Sequence, residues 1–357
     1  VSTRNRELKT GKLPGTLLQN LIESITLGSR VRGNDGRLLV GPGVGEDAAH
    51  ILFGENTLLA KTDPITFATD RIGWYAVNVN ANDIAVAGGT PKWFLATLMM
   101  PPGSTEGEVR DIFGQIGEAA YEIGVQLAGG HTEVTPAVTQ PLICGFMLGE
   151  APTSRTVSAS GARPGDGVIL TKGIAIEGTS ILANECRDEL VQAGISMSEI
   201  NAASEFLTDP GISVLKDAQT VLAAGGVTAM HDPTEGGLAT ALHELAFASN
   251  VDIVVDDSAV NVLPICRKIC DALKIDPWGL ISSGALLATV QPDYQDAVVT
   301  ALRVAGIDAG VIGRVEPLTN GETGPSVGIR QDQSTSPTPI ATFERDELAR
   351  YFETVAS

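Results

Sequence analysis

Aromatic side chains are scarce in this chain, 4% of 357 residues, so the core must be packed with Ala, Val, Ile and Leu rather than stacked rings. Cysteine is nearly as rare: Cys144, Cys186, Cys266 and Cys270, with no Cys-x-x-Cys pair and only four histidines beside them. That pattern argues against a structural zinc site, and Cys266 and Cys270, four apart in a helical-looking segment, are expected to be small, buried residues of a reduced protein. Positive charge is short as well, 24 Lys and Arg against 43 Asp and Glu, a net charge of −19. A surface this acidic repels nucleic acid and anionic membranes, and neither is an expected partner. Long apolar runs are missing; Trp93–Pro102 is among the longest and cannot span a bilayer. Val1–Lys12 is polar, without the apolar segment of a signal peptide, so a cytoplasmic protein is expected. A nucleotide is itself an anion. A chain this acidic holds one through backbone N–H groups, a few placed cations and bridging metal ions, so metal is expected wherever nucleotide binds.

What is present is glycine, 40 residues of it, within a composition that is 43% hydrophobic and 19% charged. The length fits two domains of ordinary size. We expect an N-terminal helix and loop over 1–35, one domain over 36–150 and a second over 151–357, with the seam in the aperiodic stretch Ala151–Gly167. Strand and helix patterns alternate in both halves, which predicts α/β or α+β layers. Pro14–Leu27 reads as an amphipathic helix, and His50–Phe53 with Thr57–Thr62 as a hairpin. Arg71–Gly88 carries Ile72, Ala76 and Val79 on one stripe and Val77, Ala81 and Ile84 on another, which predicts a helix buried on both sides. Thr105–Gly124 is a helix opened by a Thr105/Glu108 capping box. Val125–Ala128 reads as a strand entering a Gly129–Thr132 turn. In the second half, helices are expected near Gly178–Leu190, Ser213–Ala224, Leu238–Ala248 and Phe343–Val355, with a polar span before Pro210 and a loose tail over Thr319–Pro339.

Four segments share one design, an element end with small residues and an acid or histidine at its tip. The first is Gly41-Pro-Gly43-Val-Gly45-Glu46-Asp47, whose glycines let the backbone approach a ligand and whose acids suit a hard cation. The others are Thr62-Asp63, Asn82-Asp83 ahead of Gly88-Gly89, and His231-Asp232 ahead of Thr234 and Gly236-Gly237. All supply oxygen ligands, which favours magnesium over a soft metal. Asp83 sits on an apolar stripe, so it needs a metal or a partner; the neighbouring Asn78, Asn80 and Asn82 are the alternative partners. Thr234–Gly237 opens a helix whose free N–H groups favour an anion. Acids spread over both halves can act together only if they converge, which places the site at the domain boundary.

The order Gly-Glu-Asp-Ala-Ala, Thr-Asp, Asn-Asp-Ile-Ala-x-x-Gly-Gly-x-Pro, Gly-Gly-His-Thr and Asp-Pro-Thr-x-Gly-Gly-Leu resembles the aminoimidazole ribonucleotide synthetase superfamily over roughly residues 36–316. That group includes thiamine-monophosphate kinase, selenophosphate synthetase and the hydrogenase-maturation dehydratase. Asp232-Pro-Thr-Glu-Gly-Gly-Leu is similar to the dehydratase's Asp-Pro-Thr-Arg-Gly-Gly-Leu, with Glu235 in place of Arg. The resemblance implies a two-domain subunit that forms a homodimer through a barrel built by the N-terminal domains. It also implies ATP bound with magnesium at Asp47, Asp83 and Asp232, assisted by Asp63 and Glu46. Gly41, Gly43, Gly45, Gly129, Gly130, Thr234, Gly236 and Gly237 would then face the nucleotide. His131 is a candidate general base or phosphate contact, or else a hydrogen bond within its turn. Lys61 and Lys172 are the best-placed cations for phosphate, or else ordinary surface lysines. Two departures matter. No cysteine precedes Cys144, unlike selenophosphate synthetase, and the last residues, Phe352–Ser357, lack the dehydratase's terminal cysteine. The expected activity is therefore magnesium- and ATP-dependent activation of a carbonyl or amide oxygen on an external acceptor, small or protein-borne. The alternatives are a kinase for a small phosphate ester, and a nucleotide-binding maturation or scaffold protein serving a partner.

Overall fold

The computed structural model describes residues 13, 15–26, 36–66, 70–319, 324–331, 336–343 and 345–356. Of the N-terminal helix and loop expected over 1–35, residues 1–12, 14 and 27–35 lie outside them. The first half runs α1 (Gly15–Thr26), β1 (Leu38–Val40), β2 (Ala49–Phe53), β3 (Asn56–Ile65), α2 (Ile72–Val86), β4 (Thr90–Met100), α3 (Glu106–Glu122), β5 (Gln126–Val134) and β6 (Leu142–Pro152). Its strands form one sheet in the order β1-β2-β3-β6-β4-β5, antiparallel except for the β4–β5 pair. The sheet is open at both edges, and among the described residues no barrel closes within the chain.

Helix α2 is the central pillar. All 15 of its residues are buried, as its two apolar stripes predict. Gln115 of α3 accepts from Gly73 N at 3.0 Å, and α3 carries the expected capping box. Two expectations in this half are corrected. The Gly129–Thr132 segment is not a turn: β5 continues through it, pairing with β4 from Gln126 to Val134. A Cβ at Gly130 would lie 2.1 Å from the Ala96 carbonyl oxygen, so the glycine permits close strand approach rather than a bend. Nor does β3 stop at Thr62; it runs through Asp63 and Pro64 to Ile65 beside β6, past the point where β2 ceases to flank it.

The second half runs β7 (Gly167–Thr171), α4 (Ile176–Glu185), α5 (Arg187–Gln192), α6 (Met197–Ser204), α7 (Leu215–Ala224), β8 (Val227–His231), α8 (Gly237–Ser249), β9 (Asp252–Asp256), α9 (Pro264–Leu273), β10 (Leu287–Val290), α10 (Gln295–Val304), β11 (Ala309–Glu316), β12 (Val327–Arg330), β13 (Thr338–Pro339) and α11 (Glu347–Ala356). A second sheet has the order β13-β12-β9-β11-β7-β10-β8. Strand β7 is buried at every position because both faces are covered. Val168 and Leu170 pack toward α8 through Leu238, Leu242 and Leu245. Ile169 points the other way, toward Val221 of α7 and Leu302 of α10. A third layer of α4, α5, α6, α9 and α11 packs around Leu182, Ile269 and Leu348.

The single helix expected over Gly178–Leu190 is two helices, α4 and α5, broken at Cys186. The polar span before Pro210 contains α6, opened by a Ser196/Glu199 capping box. The loose tail contributes β12, which pairs parallel to β9. No described helix is long and apolar enough to cross a membrane.

Candidate active site at the domain seam

Asn82 of α2 joins the two halves. Its amide donates to the Ile212 carbonyl at 2.8 Å and its oxygen accepts from Val214 N at 2.9 Å. The other asparagines are engaged within the N-terminal half: Asn78 donates to Trp74 O and Asn80 to Ala76 O and Asp63 O. None of these bonds reaches Asp83. The alternative of an acid held by its asparagine neighbours is therefore corrected, because those amides satisfy backbone carbonyls instead.

Asp83 faces Lys61, whose Nζ lies 3.0 Å from Asp83 Oδ1 and 3.7 Å from Asp63 Oδ2. On the far side of the seam, β8 ends in His231 and delivers Asp232. His231 Nδ1 lies 2.8 Å from Asp47 Oδ2 and its Nε2 lies 3.0 Å from Glu244 Oε2 of α8. Gly45 makes this approach possible: its φ is +83°, and a Cβ there would sit 3.0 Å from the Glu244 carbonyl oxygen. Ligand atoms of Asp47, His231 and Asp232 fall within 4.8 Å of one another. The acids expected to converge do so: Asp83 and Asp232 each feel the charges of Asp47 and Asp63.

The electrostatics describe a site short of positive charge. Burial raises Asp232 to about 7, aided by Asp47 and opposed by His231 and Lys61. Asp83 is pushed up for the same first reason, with Lys61 the main opposing charge. Burial works against the Lys61 ammonium, yet Asp83, Asp63 and Asp47 together outweigh it and hold the proton more tightly than usual. His231 behaves alike: burial is overcome by Asp47 and Glu244, and its pKa rises. Both carboxylate oxygens of Asp232 and Oδ2 of Asp83 are buried without a hydrogen-bond partner. Orphaned buried acceptors of this kind are where a cation fits. His231 has both ring nitrogens engaged, so it orients Asp47, and the cation donors here are carboxylate oxygens. An all-oxygen set of this kind suits magnesium.

Other expected site residues are placed elsewhere. Both oxygens of Glu46 accept from Ser158 Oγ, at 2.7 and 3.0 Å. Gly41 and Gly43 lie in the loop between β1 and β2 that leads to Asp47. Lys172 is buried, with Nζ bonded to Ser213 O and Gly211 O and 3.4 Å from Asp217 Oδ1, so it ties down the loop that receives Asn82. His131 is 63% exposed on β5, its Nε2 3.1 Å from Glu133 Oε2. Its neighbour Gly130 is in register with Asp63 across β6 and β4, three strand spacings or about 14 Å away. Within one chain His131 and Gly129–Gly130 are not brought to the acids. At the start of α8, Gly236 N donates to Asp346 Oδ2 at 2.7 Å, so a carboxylate of the chain itself sits where an anion was expected. Thr234 and Gly237 complete that turn, Gly237 N donating to Thr234 O.

Sequence reasoning missed Glu244, Glu177 and Asp346. Glu244 had a signal, an acid inside an Ala- and Leu-rich helix. So did Glu177, in the first turn of buried α4. Asp346, in the tail, had none.

Two α/β domains with their acids gathered on the seam define the class. Residues 45–151 match the AIR synthase related protein N-terminal domain, and residues 163–323 match its C-terminal domain. The chain belongs to the AIR synthase-related family. Among its relatives, the carbamoyl dehydratase HypE of Rhizobium leguminosarum bv. viciae is 31% identical over 258 residues, 71% of this chain and 70% of that protein. The carbamoyl dehydratase HypE of Escherichia coli K12 is 28% identical over 257 residues, 71% of this chain and 73% of its own length. A solved HypE in complex with ATP superposes with a TM-score of 0.67 at 24% identity, over 91% of each chain. A HypE–HypF complex gives 0.70 at 23% over 92% of this chain and 100% of the other. Thiamine monophosphate kinase from Aquifex aeolicus gives 0.65 at 22%, over 88% and 96%. At these identities the three superpositions establish the fold.

Proposed function

We propose that this chain is a magnesium- and ATP-dependent enzyme that activates a carbonyl or amide oxygen of an acceptor, carried on another molecule, by phosphoryl transfer. The observation that carries the reading is Asp232, whose two buried oxygens have no hydrogen-bond partner and sit beside Asp47 at the seam. The carbamoyl dehydratase relatives and the fold shared with a HypE solved with ATP support it. In this reading Asp47 and Asp232 hold the magnesium. Magnesium with ATP would supply a polarised γ-phosphoryl group and offset its charge.

The remaining work belongs to the chain. His231, clamped by Glu244, fixes the orientation of Asp47. The Gly41–Gly45 loop brings Asp47 in from the N-terminal half, while β8 brings Asp232 from the other. Buried α2 walls the site from solvent and ties the halves together through Asn82. The acceptor is a small molecule or is borne by a partner protein; the HypE–HypF assembly of a structural neighbour supports the second source.

Phosphorus NMR of the protein with Mg-ATP and a carbamoyl or amide acceptor tests the reading. The expected products are ADP and inorganic phosphate, formed only with acceptor, with the rate reduced about 100-fold or more in Asp232→Asn, the scale of losing one such charge contact. Accumulation of a stable phosphate ester would replace the dehydratase reading by a kinase. Unchanged turnover in Asp232→Asn would reject the site.

A further inference from the structure

The seam acids divide into two groups with different neighbours. Asp83 and Asp63 flank the Lys61 ammonium, at 3.0 and 3.7 Å. Asp47 is held by His231, and Asp232 beside it has neither oxygen bonded. Lys61 emerges from β3 two residues before Asp63, and its stem crosses to α2 to reach Asp83. A lysine ammonium is a compact point charge with three donors, close in role to a cation bridging two carboxylates. Its side chain is 21% exposed against 5% for Asp83, so the contact is shielded from bulk water.

We infer that Lys61 is a built-in cation standing where a second divalent ion would bridge Asp83 and Asp63, so that the chain takes a single divalent ion, at Asp47 and Asp232. The inference rests on the metal-dependent reading of this site and specifies its stoichiometry. Four carboxylates around one seam carry too much like charge to remain ionised together without cations. One divalent ion and one ammonium offset most of it. The Asp83 side is then neutralised at every metal concentration, and only the Asp47–Asp232 side responds to metal. An ammonium cannot accept an oxygen ligand as a metal does. Lys61 therefore contributes charge and hydrogen bonds at its end, and metal coordination is confined to the other.

Manganese alone, in the absence of nucleotide, is the probe, with free ion counted by electron paramagnetic resonance during titration of the full chain. Wild type and Lys61→Arg should bind one ion per chain, Asp232→Asn none, and Lys61→Met, of similar length but uncharged, two. Restoring a single ion in the Lys61→Met/Asp83→Asn double variant would place the second ion at Asp83. One ion on both wild type and Lys61→Met leaves the metal site standing and overturns the role of Lys61. Two ions on wild type or Lys61→Arg overturn it as well, even if Lys61→Met does not fold. No ion on any form rejects the metal-dependent reading itself.

Discussion

A buried carboxyl without a partner either keeps its proton or waits for a cation, and this chain contains both kinds. Asp232 and Asp83 gather with other acids around an incomplete set of positive charges. Glu177 is different. It lies in the first turn of α4, buried, with Oε2 unpartnered, and its pKa is raised to about 8. Burial is the main cause; the Ser283 hydroxyl opposes it, and Glu235, Asp346 and Asp232 add to it. A carboxyl whose pKa rises on folding binds its proton more tightly in the folded chain. Its contribution is intact below the ordinary value of 4.5 and is lost as pH climbs toward about 8. Asp346, raised to about 7 chiefly by burial, slopes the same way. Glu177→Gln should therefore match wild type near pH 4.5 and exceed it by about 1–3 kcal/mol above pH 8, the range for relieving one buried polar group. Urea midpoints of the metal-free protein at the two pH values check this, and a variant less stable than wild type at the higher pH would refute it.

At the scale of elements, α2 carries the architecture. A helix buried on every side has no face for water, so each polar residue on it must have a specific destination. Asn82 uses its amide on Ile212 and its oxygen on Val214, across the seam. Asn82→Ala leaves a buried carbonyl and a buried N–H unsatisfied, and should cost about 2–4 kcal/mol by chemical denaturation. It should also weaken metal binding, because the same contact holds the half that carries Asp47 against the half that carries Asp232. Loss below about 0.5 kcal/mol would mean that other contacts hold the seam. Helix α8 shows the opposite solution at its start, where the carboxylate of Asp346 caps both Gly236 N and Leu348 N, each at 2.7 Å, and so ties the C-terminal helix to the α8 turn.

For the whole molecule, the exposed edge is the telling feature. All nine residues of β5 are exposed, including Leu127 at 50% and Val134 at 60%, on the outermost strand of an open sheet. A long edge strand with apolar side chains is a template for pairing with another chain. We expect a homodimer joined at this edge, which light scattering at micromolar concentration would report as twice the chain mass. A Leu127→Lys/Val134→Lys variant should shift it to monomer. A wild-type monomer would remove the shared barrel implied by the family resemblance. The net charge of −19 sets a second whole-molecule condition, that anionic ligands must bring or find cations to bind.

The amino-acid sequence alone carried the α/β alternation, the burial of α2 on both sides, the Thr105/Glu108 capping box and Asp232 at the end of a strand. Each of these is a local property of periodicity, turn chemistry or residue type. It did not reveal that Gly129–Thr132 continues as strand, because only the close passage of β4 at Ala96 explains Gly130. It did not reveal α6, although Ser196 and Glu199 announced it, because a short helix buries too few apolar residues to show a period. The partners of each acid were decided by tertiary structure alone. Lys61 and Asp83 are 22 positions apart, and Asp47 and His231 are separated by 184. Composition placed these charges on the chain. Packing α2 against β3, and the Gly45 loop against α8, brought them within reach of one another and excluded the water that would have screened them.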